Sequence, residues 1–121
     1  MGDKISPVAL VLEDDGLIAL DLEGTLQDAG FEVFSFASCK ETEPWLQAHA
    51  PDLAVLDMHL VDGGCEHIAE MLVSRRIPFV VHSGEIEADY RDTVFSKGKW
   101  LSKPSHAAEL AALARSLAST S

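Results

Sequence analysis

The 121 residues predict one α/β domain built on a doubly wound parallel sheet, and three observations carry that expectation. Short apolar runs alternate with longer amphipathic ones from end to end. Successive apolar runs are separated by roughly 10 to 20 residues, mostly of helical period. That is too long for hairpins, so the strands run parallel with right-handed crossovers and helices on both faces. Most of the runs are continuous rather than alternating, as in strands covered on both sides.

Val8–Leu12 (VALVL) is the first strand. Ile18, Leu22, Leu26 and Ala29 then recur at helical spacing with Asp21, Glu23 and Asp28 between them, a surface helix that Gly30 stops. Phe31–Phe36 (FEVFSF) alternates with period two and fits a half-exposed edge strand. Ser38-Cys39-Lys40-Glu41 has the form of a capping box opening a second helix through Trp45, Leu46 and His49, although Pro44 favours a start nearer Thr42. Leu53–Leu56 (LAVL) is a third strand, and Cys65, Ile68, Met71 and Leu72 mark a third helix face. Pro78–Val81 (PFVV) is a fourth strand and Trp100-Leu101 a short fifth. Leu110, Leu113, Ala114 and Leu117 form the last helix face, with Ser105 as its cap. The stretch from Gly84 to Lys99 has little apolar periodicity, so the fourth of the five β/α units is expected to carry a short or irregular helix. The core should run from about residue 7 to about residue 118. There is no internal repeat, linker or low-complexity segment, only an Ala/Ser-rich tail after Leu117.

Twenty acidic residues against nine basic ones give a net charge of −11. Such a surface repels phosphate backbones and anionic headgroups, which argues against nucleic acid and membrane as partners and for cations or basic protein patches. No apolar run approaches the roughly 18 residues of a membrane span. Met1 to Pro7 contains Asp3 and no hydrophobic stretch, so it does not read as a secretory signal and a cytoplasmic protein is expected. Cys39 and Cys65 lie far apart with no CxxC or Cys/His ligand spacing, and are expected to be packed thiols rather than a disulfide or a zinc site.

The informative polar residues follow the strands. Glu13, Asp14 and Asp15 come after the first, Asp57 after the third, His82 and Ser83 after the fourth, and Lys103 after the fifth. In an open parallel sheet these positions line the crevice where ligands bind, so residues distant in sequence converge there. Gathered carboxylates repel: two unit charges 4 Å apart cost about 1 kcal/mol in water and about 4 kcal/mol at an effective dielectric near 20. Lys103 offsets part of that cost, and a hard divalent ion with oxygen ligands, Mg²⁺ above all, would offset the rest and hold a phosphoryl group. Any one of these acids alone reads as a helix cap; Asp14, Asp57, Ser83 and Lys103 together do not.

Four segments carry a resemblance to the receiver domains of bacterial two-component response regulators. They are Val11–Asp15 (VLEDD), Pro51–Gly63 (PDLAVLDMHLVDG), Ile77–Gly84 (IPFVVHSG) and Trp100–Pro104 (WLSKP), in the family's order and spread over nearly the whole chain. The resemblance implies a flavodoxin-like fold with strand order 2-1-3-4-5. With 121 residues leaving no room for an output domain, the chain is similar to stand-alone receivers. By the same resemblance Asp57 accepts a phosphoryl group from a histidine kinase or a histidine phosphotransfer protein, without turnover as an enzyme. Asp14 and Asp57 ligate Mg²⁺, Glu13 acts through water, and the backbone carbonyl of His59 completes the protein ligands. Lys103 contacts the acyl-phosphate oxygens, aimed by a cis Lys103-Pro104 peptide, and Ser83 hydrogen-bonds the phosphoryl group. Ser83 and Trp100 form the switch that alters the surface offered to a downstream protein or a second copy of the chain.

The sequence departs from the family in three places. Trp100 stands where Tyr or Phe is usual, Val61 replaces the Pro before Asp62-Gly63, and the 84–99 segment is short. His59 and Glu85, two positions beyond Asp57 and Ser83, are expected to tune the lifetime of the phosphoryl group. Two rivals predict different behaviour. Asp21-Leu-Glu-Gly-Thr-Leu26 resembles the DxDGT motif of haloacid-dehalogenase-type phosphatases, with Glu23 in place of the second Asp, but carries helical rather than strand period. A receiver-like adaptor would bind partners without phosphorylation. His49, His67 and His106 are expected on helix surfaces, His82 at a strand end, and Trp45 in packing.

Overall fold

The computed structural model describes residues 6–60 and 63–119. The readings made above for residues 1–5, for Val61 and Asp62, and for the last two residues of the tail lie outside the described residues. Five strands, β1 (Val8–Leu12), β2 (Glu32–Phe36), β3 (Leu53–Leu56), β4 (Phe79–Ser83) and β5 (Lys99–Ser102), form one parallel sheet in the order β2-β1-β3-β4-β5. The register is regular, with Leu10 opposite Phe34 and Ala54, Val55 opposite Val80, and Val81 opposite Trp100. Four helices cover it: α1 (Gly16–Asp28), α2 (Cys39–Ala48), α3 (Glu66–Ser74) and α4 (Ala107–Ser119).

Strand alternation divides the core in two. Leu10, Leu12, Leu56 and Val81 point to one face, where Leu46 of α2 and Ile68, Ala69 and Leu72 of α3 cover them together with Phe95. Ala9, Val11, Val55 and Val80 point to the other, under Leu22 and Leu26 of α1 and Leu110 and Ala114 of α4. Both faces of the central strands are therefore buried, which explains the continuous apolar runs.

α1 ends as the sequence indicates. Gly30 takes φ +101°, its N–H bonds the Gln27 carbonyl at 3.0 Å, and the Phe31 N–H bonds the Leu26 carbonyl at 3.0 Å, the paired closure of a Schellman motif. Between β4 and β5 the chain forms two 3₁₀ turns, Glu87–Tyr90 and Val94–Lys97, instead of a full helix, as the weak periodicity there implies. At Gly98 a side chain would meet the Phe79 carbonyl oxygen at 2.8 Å, so only glycine lets the second turn close onto β4.

α2 starts at Cys39, as the Ser38 to Glu41 capping box indicates, rather than nearer Thr42: Ser38 Oγ accepts from the Glu41 N–H at 3.2 Å, and that cap outweighs Pro44, which is accommodated inside the helix. Two local expectations need correction. Ser105 does not cap α4. The His106 carbonyl accepts the first helical bonds and its N–H donates to Glu109 Oε1, while Ser105 Oγ lies 2.9 Å from His82 Nε2. His82 is thus a buried member of β4 rather than a mere strand end. Unforeseen altogether is a two-stranded antiparallel ribbon, His59–Leu60 with Gly63–Gly64, just beyond β3.

Candidate functional site

Each site residue owes its position to the strand that precedes it. Glu13 follows β1 and is pinned by its N–H to the Phe36 carbonyl at 3.1 Å; Asp57 follows β3 and is pinned by its N–H to the Leu12 carbonyl at 3.0 Å. Lys103 follows β5, and its N–H donates to the Ser83 carbonyl at 2.8 Å. The sheet hydrogen bonding thus continues one residue past the strands and fixes three functional backbones. The Lys103-Pro104 peptide is cis, as the resemblance implies.

The side chains converge. Lys103 Nζ lies 3.2 Å from Asp57 Oδ2, to which it donates a hydrogen bond, and 3.3 Å from Glu13 Oε1. Glu13 and Asp14 each bring a carboxylate oxygen within 4.8 Å of one from Asp57. The three differ in exposure: Glu13 is buried, Asp57 half-buried and Asp14 open to solvent, so the cluster is a shallow cup with one wet side. Asp15 is separate, spending its carboxylate on the N-cap of α1. The other oxygen of Glu13, Oε2, accepts from the Asp15 N–H at 3.2 Å.

This geometry sets the charges. Burial, then the nearby Asp57 charge, raise the Glu13 carboxyl above its ordinary range, against the opposing pull of the Asp15 N–H and Lys103. Burial works against the Lys103 ammonium, but its hydrogen bond with Asp57 and the two negative charges prevail and hold its proton more tightly than usual. Glu13 Oε1 is buried without an aligned hydrogen bond although an ammonium stands nearby. One lysine facing two carboxylates, with a third at hand, leaves the cup short of positive charge. An all-oxygen donor set of this size suits a hard divalent cation such as Mg²⁺.

The remaining candidates sit on β4, on β5 and on the segments that follow β3 and β4. Ser83 ends β4, is buried, and accepts from the Glu85 N–H at 2.9 Å. Glu85 is exposed and its carboxylate accepts from the Tyr90 hydroxyl at 3.4 Å. Trp100 is half-buried in β5 with its ring 5.8 Å from that of Tyr90, and its indole N–H is buried without a partner. His59 opens the ribbon just after Asp57; only its backbone is described. A separate cleft of about 500 Å³ between α1 and α4 shares Lys103 and His82 with this neighbourhood but none of the three carboxylates.

Asp21 to Leu26 lies within α1, not after a strand, so the phosphatase-like motif has no strand-end carboxylate to offer. Trp45 packs, as expected, on Phe34, Phe36 and His49. His67 is exposed and its Nε2 lies 2.8 Å from Glu43 Oε2, tying α3 to α2. Two pairs escaped the sequence reading, His82 with Ser105 and Cys39 with Cys65, because neither has a signature in spacing.

A doubly wound, flavodoxin-like protein with an acidic, lysine-closed cup at its strand ends is the class that fold and site define. The chain matches the response regulator receiver domain model over residues 9–115 and belongs to that family, in which phosphorylation and Mg²⁺ binding are typical. It is 40% identical over 53 residues to the transcriptional regulatory protein PhoP of Escherichia coli, a match that covers 44% of this chain and 24% of PhoP. The chain thus spans well under two thirds of the curated relatives it matches. Among solved structures, the response regulator receiver protein from Sinorhizobium medicae superimposes with a TM-score of 0.85 at 24% identity, covering 94% of this chain and 95% of that one. The non-phosphorylated HemR receiver domain from Leptospira biflexa gives 0.82 at 29% identity, covering 93% and 94%. No helix among the described residues is long and apolar enough to cross a membrane.

Proposed function

We propose that this receiver domain is a phosphoacceptor switch, taking a phosphoryl group from the phosphohistidine of a kinase or phosphotransfer protein onto Asp57. The observation that carries this reading is the cup itself: Asp57 Oδ2 is 3.2 Å from Lys103 Nζ, with Glu13 and Asp14 oxygens within 4.8 Å. In the transfer, an Asp57 oxygen attacks phosphorus, the O–P bond forms, and the N–P bond breaks as the imidazole departs with the electron pair. Lys103 holds its ammonium against the negative charge that spreads over the phosphoryl oxygens, and Ser83 offers a hydroxyl donor from β4. Asp14, Asp57 and the His59 carbonyl would hold Mg²⁺, with Glu13 acting through water, and the ion would add positive charge at the same oxygens. Asp57 is consumed and later restored, so the chain is a substrate that assists its own modification rather than a turnover enzyme. This chemistry belongs in the cytoplasm, with the kinase.

Ser83 connects capture to the surface. Its hydroxyl now accepts from Glu85; drawn toward a phosphoryl group, it would release that contact and open space beside β4 for Trp100, altering the face offered to a downstream protein or a second copy. His59 and Glu85, two positions beyond Asp57 and Ser83 in sequence, are assigned the tuning of the acyl phosphate's lifetime.

Phosphoramidate, whose N–P bond stands in for phosphohistidine, tests the reading. With Mg²⁺ the intact mass rises by one phosphoryl group, and with a chelator the gain disappears. A gain that ignores the chelator, or none in Mg²⁺, counts against the proposal.

A further inference from the structure

Cys39 opens α2 and is half-buried; Cys65 immediately precedes α3 and is fully buried. Their sulfurs lie 3.9 Å apart, although the residues are far separated in sequence. A disulfide has an S–S bond of about 2.05 Å, so closure needs the two sulfurs to approach by about 2 Å. The chain has two cysteines, so an intramolecular disulfide has one identity.

Cys65 also braces the segment that follows Asp57. Its N–H donates to the Met58 carbonyl at 3.1 Å and its thiol donates to the Asp57 carbonyl at 2.8 Å. The contact to the Asp57 carbonyl is therefore made by a hydrogen that oxidation would remove. We propose that Cys39 and Cys65 are a redox-modification site: a peroxide closes a disulfide between them, and the crosslink slows phosphoryl capture by releasing the Asp57 carbonyl. The second half rests on the phosphoacceptor reading of Asp57; the first does not.

Burial, reinforced by the neighbouring Cys39, pushes the Cys65 thiol far above its ordinary range, so it stays protonated and shielded. Oxidation starts at the accessible sulfur. Cys39 as thiolate attacks one oxygen of hydrogen peroxide, the O–O bond breaks, and the departing hydroxide takes up a proton as water, leaving a sulfenic acid. The Cys65 sulfur then attacks the Cys39 sulfur, its proton joining the leaving hydroxyl as a second water. Two thiols lose two electrons and peroxide gains two; a dithiol reverses the change.

The full chain, treated with hydrogen peroxide and weighed intact, should lose two hydrogens, about 2 Da, and regain them with dithiothreitol. Cys39→Ser should show no such loss. The initial rate of phosphoryl gain from acetyl phosphate should fall roughly tenfold in the oxidised form, as a misplacement of an ångström or less can produce, and recover on reduction. Peroxide should leave the Cys39→Ser rate unchanged. Oxygen added to one sulfur, or crosslinking between chains, without the intramolecular loss overturns the pairing; equal rates in oxidised and reduced protein overturn the coupling. If the reduced wild type takes no phosphoryl group, the functional reading fails while the hydrogen loss still supports the disulfide.

Discussion

Lys103 is the residue on which the cup depends. Its ammonium faces Asp57 and Glu13 at once, so truncation removes both the charge balance and the donor aimed at Asp57. Lys103→Ala should slow phosphorylation from a small donor by about 10²-fold, in the range of losing one preorganised donor, with Mg²⁺ still required. His82 gives a second residue-scale prediction. Burial foremost, then the Lys103 charge, lower its imidazole below the ordinary value of 6.5. The folded state therefore favours neutral His82, and its contribution to stability is complete above that value and lost as pH falls through the depressed one. His82→Gln, followed by thermal unfolding, should flatten the decline in stability below pH 6.5 relative to wild type; an identical pH profile would exclude His82 as its source. At this scale the sequence reveals Glu13, Asp14, Asp57 and Lys103 as neighbours because residues just past the ends of parallel strands line the same crevice. It conceals Cys39 with Cys65 and His82 with Ser105, because their proximity is made by helix placement and not by any local rule.

The helix ends show the same contrast at the scale of elements. α1 and α3 close with the same motif: the Phe31 N–H reaches Leu26, and the Ile77 N–H reaches Leu72 at 2.9 Å with the Arg76 N–H on Val73 at 3.1 Å. The turning residue is Gly30 at φ +101° in one and Arg76 at φ 59° in the other. A side chain in that region costs about 1–2 kcal/mol, so Gly30→Ala should destabilise by about that amount. Arg76→Gly should stabilise by about 0.5–1 kcal/mol, the strain relieved being partly offset by a freer unfolded chain. Urea unfolding of both variants checks the pair, and a stabilised Gly30→Ala would refute the account of α1. Gly30 announces the end of its helix and Arg76 does not, which is why one stop is visible in the sequence. The ribbon after β3 is invisible for a similar reason: two-residue strands carry no periodicity. The irregular 84–99 segment was foreseeable because its lack of an apolar stripe leaves a helix nothing to bury.

For the whole molecule, the continuous apolar runs and their spacing determine a parallel sheet with two buried faces, and everything else about the cup follows from the alignment of strand ends. A surface carrying a net charge of −11 around an acidic cup repels free anions, so a phosphoryl group is held there only where the carboxylates are locally outweighed. In the proposed transfer, the exposed side of the cup at Asp14 would give a cation and a phosphohistidine their route to Asp57. The central claim, that this one carboxylate captures the phosphoryl group, is tested most directly by intact mass after incubation with acetyl phosphate and Mg²⁺, wild type beside Asp57→Asn. The account predicts one phosphoryl group on the wild type and none on the variant; a gain that survives in Asp57→Asn would contradict it.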